Sequence, residues 1–295
     1  MTSRIYWIII LTLAIAGLLA APPAVKAQEI FSRLAGQLQD IGFEPARLKK
    51  LFNHPQLKFE ARVLARMLSA RESKLNYRQF LSKSNLKAAK GFLRRHRAYF
   101  AKARSRYGVR AEVVAAIILV ESRLGKYTGK YRVFNVLASQ AMLHSPQGRR
   151  QLAGYWPRRR KKELDQPKNR IRFERRSHWA LEELAGLMHL AQRDRASPFA
   201  YKGSPAGAMG LGQFMPTSVL IWGQDANADG RVNLDHPGDA IFSVAHYLQD
   251  HGWRKGLRPK DQTEVILTYN KSTPYAQTVL ELARRLKGPQ KSRNQ

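Results

Sequence analysis

The stretch Ala111-Glu-Val-Val-Ala-Ala-Ile-Ile-Leu-Val-Glu121-Ser-Arg-Leu-Gly125 sets eight consecutive apolar residues, Val113 to Val120, directly against a glutamate. A helix that is apolar all round belongs in an interior, so this segment predicts a buried helix at the heart of the fold. The flanking sequence reads as helix too. Apolar residues recur at three- and four-residue spacing in Phe59, Val63 and Met67, in Leu181, Leu184 and Met188, in Ile241, Val244, Ala245 and Leu248, and in Val279, Leu282 and Leu286. Alternation is confined to Ile171 with Phe173 and Val232 with Leu234, enough for small ribbons and too little for a large sheet. The expected fold class is mainly α, with very little sheet.

Composition narrows the function classes. The chain has 295 residues, of which 44% are hydrophobic, so a real core forms and disorder throughout is excluded. With no cysteine, it can hold no disulfide, thiolate metal site, cysteine nucleophile or cysteine-linked lipid anchor. Lys and Arg number 52 against 21 Asp and Glu, a formal charge of +31 that calls for an anionic partner. The first 27 residues say where that partner is met. Arg4, an apolar run from Ile5 to Ala21, Pro22-Pro23 and the small-x-small sequence Val25-Lys26-Ala27 read as a secretory signal peptide cut after Ala27. Left uncleaved, the same segment is long enough to anchor the chain to a membrane. Either way the remainder is exported, which expects a periplasmic location, a wall polymer or anionic lipid rather than nucleic acid as partner, and a monomer.

Organisation along the chain follows from these cues. Residues 28–108 form a helical N-terminal region, residues 109–286 a core, and 287–295 a polar tail. Within the core, 145–178 reads as an exposed basic insertion. It contains the densest run of charge, net +9 over residues 149–176, and Pro146, Pro157 and Pro167 interrupt any long helix there.

Four segments carry candidate chemistry. Glu121, at the end of the apolar helix, is the only carboxylate between Val113 and Lys162, and desolvation there would raise its pKa and keep it protonated as a general acid requires. Taken alone it also reads as an ordinary helix-end glutamate. The segment from Tyr201 to Ser218 places glycines at 203, 207, 210 and 212, so backbone can approach a ligand closely, while Ser204 and Gln213 offer hydroxyl and amide groups suited to sugars. It matches neither a Walker loop nor a dinucleotide fingerprint. From Asp225 to Asp239, oxygen side chains at Asp225, Asn227 and Asp229, Gly230 and the Arg231 carbonyl repeat the front half of an EF-hand-like calcium loop. Its twelfth position is His236 instead of Glu, so Asp239 would close the metal set. Lastly, Tyr247, Tyr269, Asn270 and Tyr275 offer rings and polar groups for sugar faces and hydroxyls, although single aromatics are more often core residues. His246 and His251 stand five apart, a spacing that does not put two zinc ligands on one helix face.

Taken together, Arg106-Tyr-Gly-Val, Val120-Glu-Ser-Arg with Gly125, the glycine-rich segment Lys202–Pro216, the calcium-like loop and Tyr269-Asn270 resemble the membrane-bound lytic murein transglycosylase B type. These are lysozyme-like enzymes that cleave bacterial peptidoglycan, and the resemblance runs from about Phe43 to Leu286. It implies a lysozyme-like helical core and a catalytic acid at Glu121. Substrate-groove residues fall on Ser204, Gln213, Tyr247, Tyr269, Asn270 and Tyr275, and an elongated EF-hand spans Asp225 to Asp239. The implied reaction cuts the bond between N-acetylmuramic acid and N-acetylglucosamine and leaves a 1,6-anhydro end. Ca2+ is the only implied cofactor, in a structural role. A hydrolytic muramidase and a catalytically silent wall-binding protein are the alternative readings. The chain departs from the family pattern in its basic stretch 145–178 and in lacking a lipid-bearing Cys.

Overall fold

The computed structural model describes residues 27–69 and 76–287. The expected signal segment and nearly all of the polar tail lie outside them. Among the described residues thirteen α-helices surround one two-stranded ribbon. The N-terminal side contributes α1 (Ala27–Asp40), α2 (Pro45–Phe52), α3 (Ala61–Ser69), α4 (Lys83–Arg95) and α5 (Arg97–Tyr107). Then come α6 (Ala111–Ser122), β1 (Tyr131–Arg132), α7 (Val133–Ala141), α8 (Pro146–Ala153), α9 (Pro167–Arg193), β2 (Lys202–Gly203), α10 (Pro216–Trp222), α11 (Pro237–Asp250), α12 (Pro259–Tyr269) and α13 (Thr273–Lys287). No helix among them is long and apolar enough to cross a membrane.

The apolar run does form the central helix. Val113 to Leu119 on α6 are buried completely or nearly so. Helix α13, with Val279, Leu282 and Ala283 buried, packs along α6, and α4, α5 and α11 also pack against α6. Burying a side chain of this size is worth about 1.5–3 kcal/mol, so α6 is the element that organises the rest. The main core is continuous from Phe31 to Leu286. Apolar residues from both sides of residue 108 share it.

The stretch expected to be an exposed insertion is organised differently. Prolines open α2, α8, α9, α10, α11 and α12, where a missing N–H costs nothing and the fixed φ suits the first turn. Pro146 and Pro167 are thus helix starts rather than interruptions, and Pro157 precedes a 3-10 segment at Arg158–Glu163. Leu152, Trp156, Leu164 and Phe173 bury themselves against Leu64, Ala65 and Leu68 of α3 as a second small core. Arg160 and Arg172 donate to the Ser69 and Leu68 carbonyls at the end of α3, at 3.1 and 3.4 Å. The segment therefore packs on α3, tied to its end by Arg160 and Arg172, while most of its other basic side chains face outward.

The expected ribbons lie elsewhere. Ile171 and Phe173 are both in α9, where the first is exposed and the second buried. Val232 and Leu234 lie in a loop held by Leu211 N–H donating to the Leu234 carbonyl at 2.9 Å. The sheet is instead β1 with β2, antiparallel, Tyr131 opposite Gly203 and Arg132 opposite Lys202.

Candidate functional site

Glu121 ends α6, and the chain leaves the helix there through an unusual backbone. Arg123 and Leu124 take φ of +50° and +62°, followed by Gly125 at +89°. Left-handed backbone at two non-glycine residues is costly and persists only where the surroundings impose it. Here Arg123 N–H and Leu124 N–H return to the Leu119 and Ile118 carbonyls at 3.0 and 3.2 Å. Ser122 Oγ donates to the Ile118 carbonyl and accepts from Gly125 N–H at 3.0 Å. The sharp exit keeps the Glu121 carboxyl at the end of an apolar helix with a rigid loop beside it.

The residue is half-buried by surface area, and its carboxyl is desolvated. Burial pushes it up to about 7, and a hydrogen bond from the Tyr275 hydroxyl to Glu121 Oε1, 2.7 Å long, acts in the other direction. No other carboxylate contributes to that shift. At neutral pH such a group divides between a proton donor and a proton acceptor, as a single residue serving both roles requires.

Tyrosines line the approach. Tyr269 donates to the Gly212 carbonyl at 2.5 Å, and its ring meets Tyr247 edge to face at 4.9 Å. Tyr247 donates to the Thr268 carbonyl at 2.8 Å and lies flat on His251 at 3.9 Å. Burial, and then the nearby Glu121 charge, push the Tyr269 and Tyr275 hydroxyls far up, so both remain proton donors. Tyr275 is only 1% exposed. It was expected in the substrate groove, but the structure puts it beneath the carboxyl, where it orients Glu121 and leaves no face for a sugar.

The glycine-rich segment closes the opposite side. Gln213, at φ +53°, donates its amide to the Thr128 carbonyl at 3.2 Å and to the Gly210 carbonyl at 2.8 Å, which ties the loop after Glu121 to this segment. Gly129 sits so close to Gly203 and Ser204 that a Cβ there would lie 2.0 Å from the Gly203 carbonyl carbon. Ser204 Oγ accepts from Ala206 and Ala208 N–H, leaving its own proton to donate. Asn270 follows α12 directly, half-buried, its backbone N–H bonded to the Ile266 carbonyl. Glu121 touches Tyr275 and Tyr247 touches Tyr269, Tyr269 feels the Glu121 charge and bonds the Gly212 carbonyl next to Gln213, and Ser204 joins through the Gly129 crossing. A cavity of about 470 Å³ lined by Asp194, Tyr201, Lys202 and Arg231 is separate from this set, touching it only at Gly210.

The acidic loop is built around its own backbone. Asp225 accepts from Gly230 N–H at 2.8 Å and Asp229 N–H at 3.3 Å, while Asp229 accepts from Arg231 N–H and from the Asn227 amide at 2.9 Å each. Asp225, Asn227, Asp229 and the Arg231 carbonyl are an all-oxygen donor set of the kind a hard cation prefers. Asp239 stands behind it. Fully buried in the first turn of α11, it accepts from Ala226 and Asn233 N–H at 3.0 and 2.8 Å and meets His236 at 3.1 Å, so its oxygens pin the two ends of the loop. Among the described residues no three His, Cys, Asp or Glu side chains converge as a metal-holding group.

Sequence reasoning missed two parts of this arrangement. One is the loop from Arg123 to Lys130, whose only sequence signals are Gly125 and Gly129. The other is the role of Tyr275, which shares its spacing signal with any core residue.

An apolar helix that ends in one desolvated carboxyl, with a tyrosine wall and a glycine loop closing round it, belongs to the lysozyme-like class of helical proteins. The chain is a member of the transglycosylase SLT domain family, whose model matches residues 26–264. It is 33% identical over 193 residues to the membrane-bound lytic murein transglycosylase B of Escherichia coli K12, a match covering 65% of this chain. The chain spans 44% of the length of that curated relative. Its structure is similar to that of the soluble lytic transglycosylase SltB1 from Pseudomonas aeruginosa, with TM-score 0.67 and 25% identity over 89% of this chain and 98% of that one. It shares the fold of the Escherichia coli lytic transglycosylase Slt35 in complex with calcium, at TM-score 0.66 and 24% identity over 89% and 92% of the two chains.

Proposed function

We propose that this chain is an exported, periplasmic lytic transglycosylase, a carbon–oxygen lyase acting on peptidoglycan glycan strands, with Glu121 as its one acid–base residue. The observation that carries the reading is the Glu121 carboxyl, raised to about 7 by burial, fixed by Tyr275, and without a second carboxylate acting on it. Most glycosidases that use water or a covalent intermediate employ two carboxylates. A single one suffices when the substrate provides the rest. Glu121 protonates the glycosidic oxygen between N-acetylmuramic acid and N-acetylglucosamine. The acetamido group of the muramic residue supports the developing positive charge at C1. The carboxylate then takes the proton from the muramic C6 hydroxyl as that oxygen attacks C1, closing a 1,6-anhydro ring and returning Glu121 to its acid form. Ser204, Gln213, Tyr247, Tyr269 and Asn270 would hold the sugars in line.

Digestion of purified peptidoglycan with residues 28–295, read by mass spectrometry, tests this. Soluble fragments one water lighter than muramidase products are expected, and Glu121→Gln should lower their release by at least about a thousandfold, as loss of a sole acid–base group does. Full-mass reducing fragments would establish a hydrolase instead, and full activity in the variant would remove Glu121 from the mechanism.

The loop from Asp225 to Asp239 is proposed to bind Ca2+ through Asp225, Asn227, Asp229, the Arg231 carbonyl and Asp239, the last of which also fixes the loop to α11. The ion would stabilise the fold and take no part in the reaction. At a hundredfold excess over its dissociation constant, a ligand confined to the native state adds about 2.7 kcal/mol. The melting midpoint should therefore rise by about 5–11 °C when chelator is replaced by calcium. Asp225→Ala should abolish the difference; equal midpoints for the unaltered protein would remove the metal.

A further inference from the structure

The loop that follows Glu121 continues into a strongly cationic groove that the site described above does not use. Leu124 and Lys126 form one side of a cavity of about 960 Å³. The other side is α4, with Lys83, Lys87, Lys90, Arg94 and Arg95 around Ser84, Ala88 and Gly91. Lys83, Lys87, Lys90 and Arg94 are spaced four, three and four residues apart, which aligns them along one helix face over about 16 Å. All four are exposed, as is Lys126. No acid lines the groove. None of its six cations forms an ion pair with a described residue.

An aligned row of unpaired cations beside a floor of small residues suits a linear polyanion, and its position selects which one. Helix α4 packs directly on α6, and Lys126 is joined to Glu121 by the rigid loop that Ser122 and Gln213 hold. A glycan strand lying across Glu121 carries peptide stems with free carboxylates on its muramic residues, and the groove adjoins the loop that leaves Glu121 through Leu124 and Lys126. Resting on the reading of Glu121 as the cleaving residue, we infer that the cationic face of α4, together with Lys126, receives the stem-peptide carboxylates of the bound strand. The site thereby favours peptide-bearing over naked glycan.

The test compares intact sacculi with sacculi stripped of stems by an amidase. Two readouts are taken: co-sedimentation of Glu121→Gln protein, which needs no cleavage, and fragment release by protein with Glu121 intact. Both should favour the stem-bearing material. Replacing Lys83, Lys87, Lys90 and Arg94 by Gln should cut that preference about tenfold, since exposed charge contacts are individually small and here four are lost. Replacing the three lysines by Arg should retain it. The substituted side chains are exposed, so an unchanged melting midpoint checks the fold. Unchanged preference in the Gln variant, or an equal loss on both materials, would overturn the inference. So would retention on phosphatidylglycerol vesicles that the Gln substitutions abolish while sacculus binding holds, which would assign the groove to lipid. Absence of fragment release from either material overturns the proposed function, and sedimentation still decides the groove.

Discussion

At the scale of the residue, the fold places an energetic load on Glu121 that can be read against pH. Its carboxyl titrates at about 7 in the folded chain, against 4.5 for an ordinary glutamate. The folded state therefore binds the proton more tightly than the unfolded chain, and stability falls as pH rises through the window from 4.5 to 7. Below that window both states are protonated and the load vanishes. Above it the full difference applies, on the order of 3 kcal/mol. Glu121→Gln removes the titration, so its melting midpoint should exceed that of the unaltered protein at pH 8 and converge with it near pH 4. Midpoints that differ equally at both pH values would show that the carboxyl is not desolvated. Tyr275 acts in the opposite sense, because its hydroxyl stabilises the ionised carboxylate. Tyr275→Phe should raise the Glu121 pKa further and move the alkaline limb of activity upward, with kcat reduced by about tenfold and KM little changed. A variant that raised KM alone would put Tyr275 back on the sugar.

Elements are set by longer-range facts than single residues. Helix α6 was legible because eight apolar residues in a row permit no exposed face, and Glu121 because it ends that run. The ribbon was not legible: strands of two residues are too short to show a period, and Ile171 with Phe173 imitate alternation because two residues apart on α9 happens to cross from solvent to the small core. Prolines misled in the same stretch, since Pro146 and Pro167 break a helix only when another turn precedes them. The acidic spacing of the loop could be read from the sequence, whereas the bonds from Ala226 and Asn233 N–H to Asp239 depend on how the folded loop turns toward α11. The crossing of the 123–130 loop over β2 was equally hidden, and it is where an element-scale prediction falls. Gly129 has φ +99°, and a Cβ would meet the Gly203 backbone at 2.0 Å. Gly129→Ala should cost about 2–4 kcal/mol by strain and forced separation. It should also lower cleavage by more than that loss of folded protein accounts for, because Gln213 and Thr128 part with it. Gly230→Ala, where nothing stands within 4 Å, supplies the comparison for a positive-φ glycine without the crossing. Equal effects of the two substitutions would show that the crossing does not shape the site.

For the whole molecule the governing quantity is charge. An excess of 31 positive charges, spread along the entire sequence, destabilises the compact state by self-repulsion, yet it also draws the protein to an anionic polymer from any direction. The two contributions respond to salt in opposite ways. Screening lengths shorten from about 30 Å at 0.01 M to about 8 Å at 0.15 M, so added salt relieves the repulsion and weakens the long-range attraction together. Salt should thus raise the melting midpoint while it lowers the initial rate on intact sacculi, by about tenfold or more over that range. On a short neutral oligosaccharide fragment the rate should hold nearly constant, because the carboxyl of the proposed acid–base residue Glu121 is desolvated and feels little screening. The groove on α4 holds few of the 52 Lys and Arg, so its Gln variant should keep most of this salt slope while losing its preference for stems. A slope that disappeared with those four side chains would mean that local contacts carry the attraction and that the charge on the rest of the surface serves another purpose.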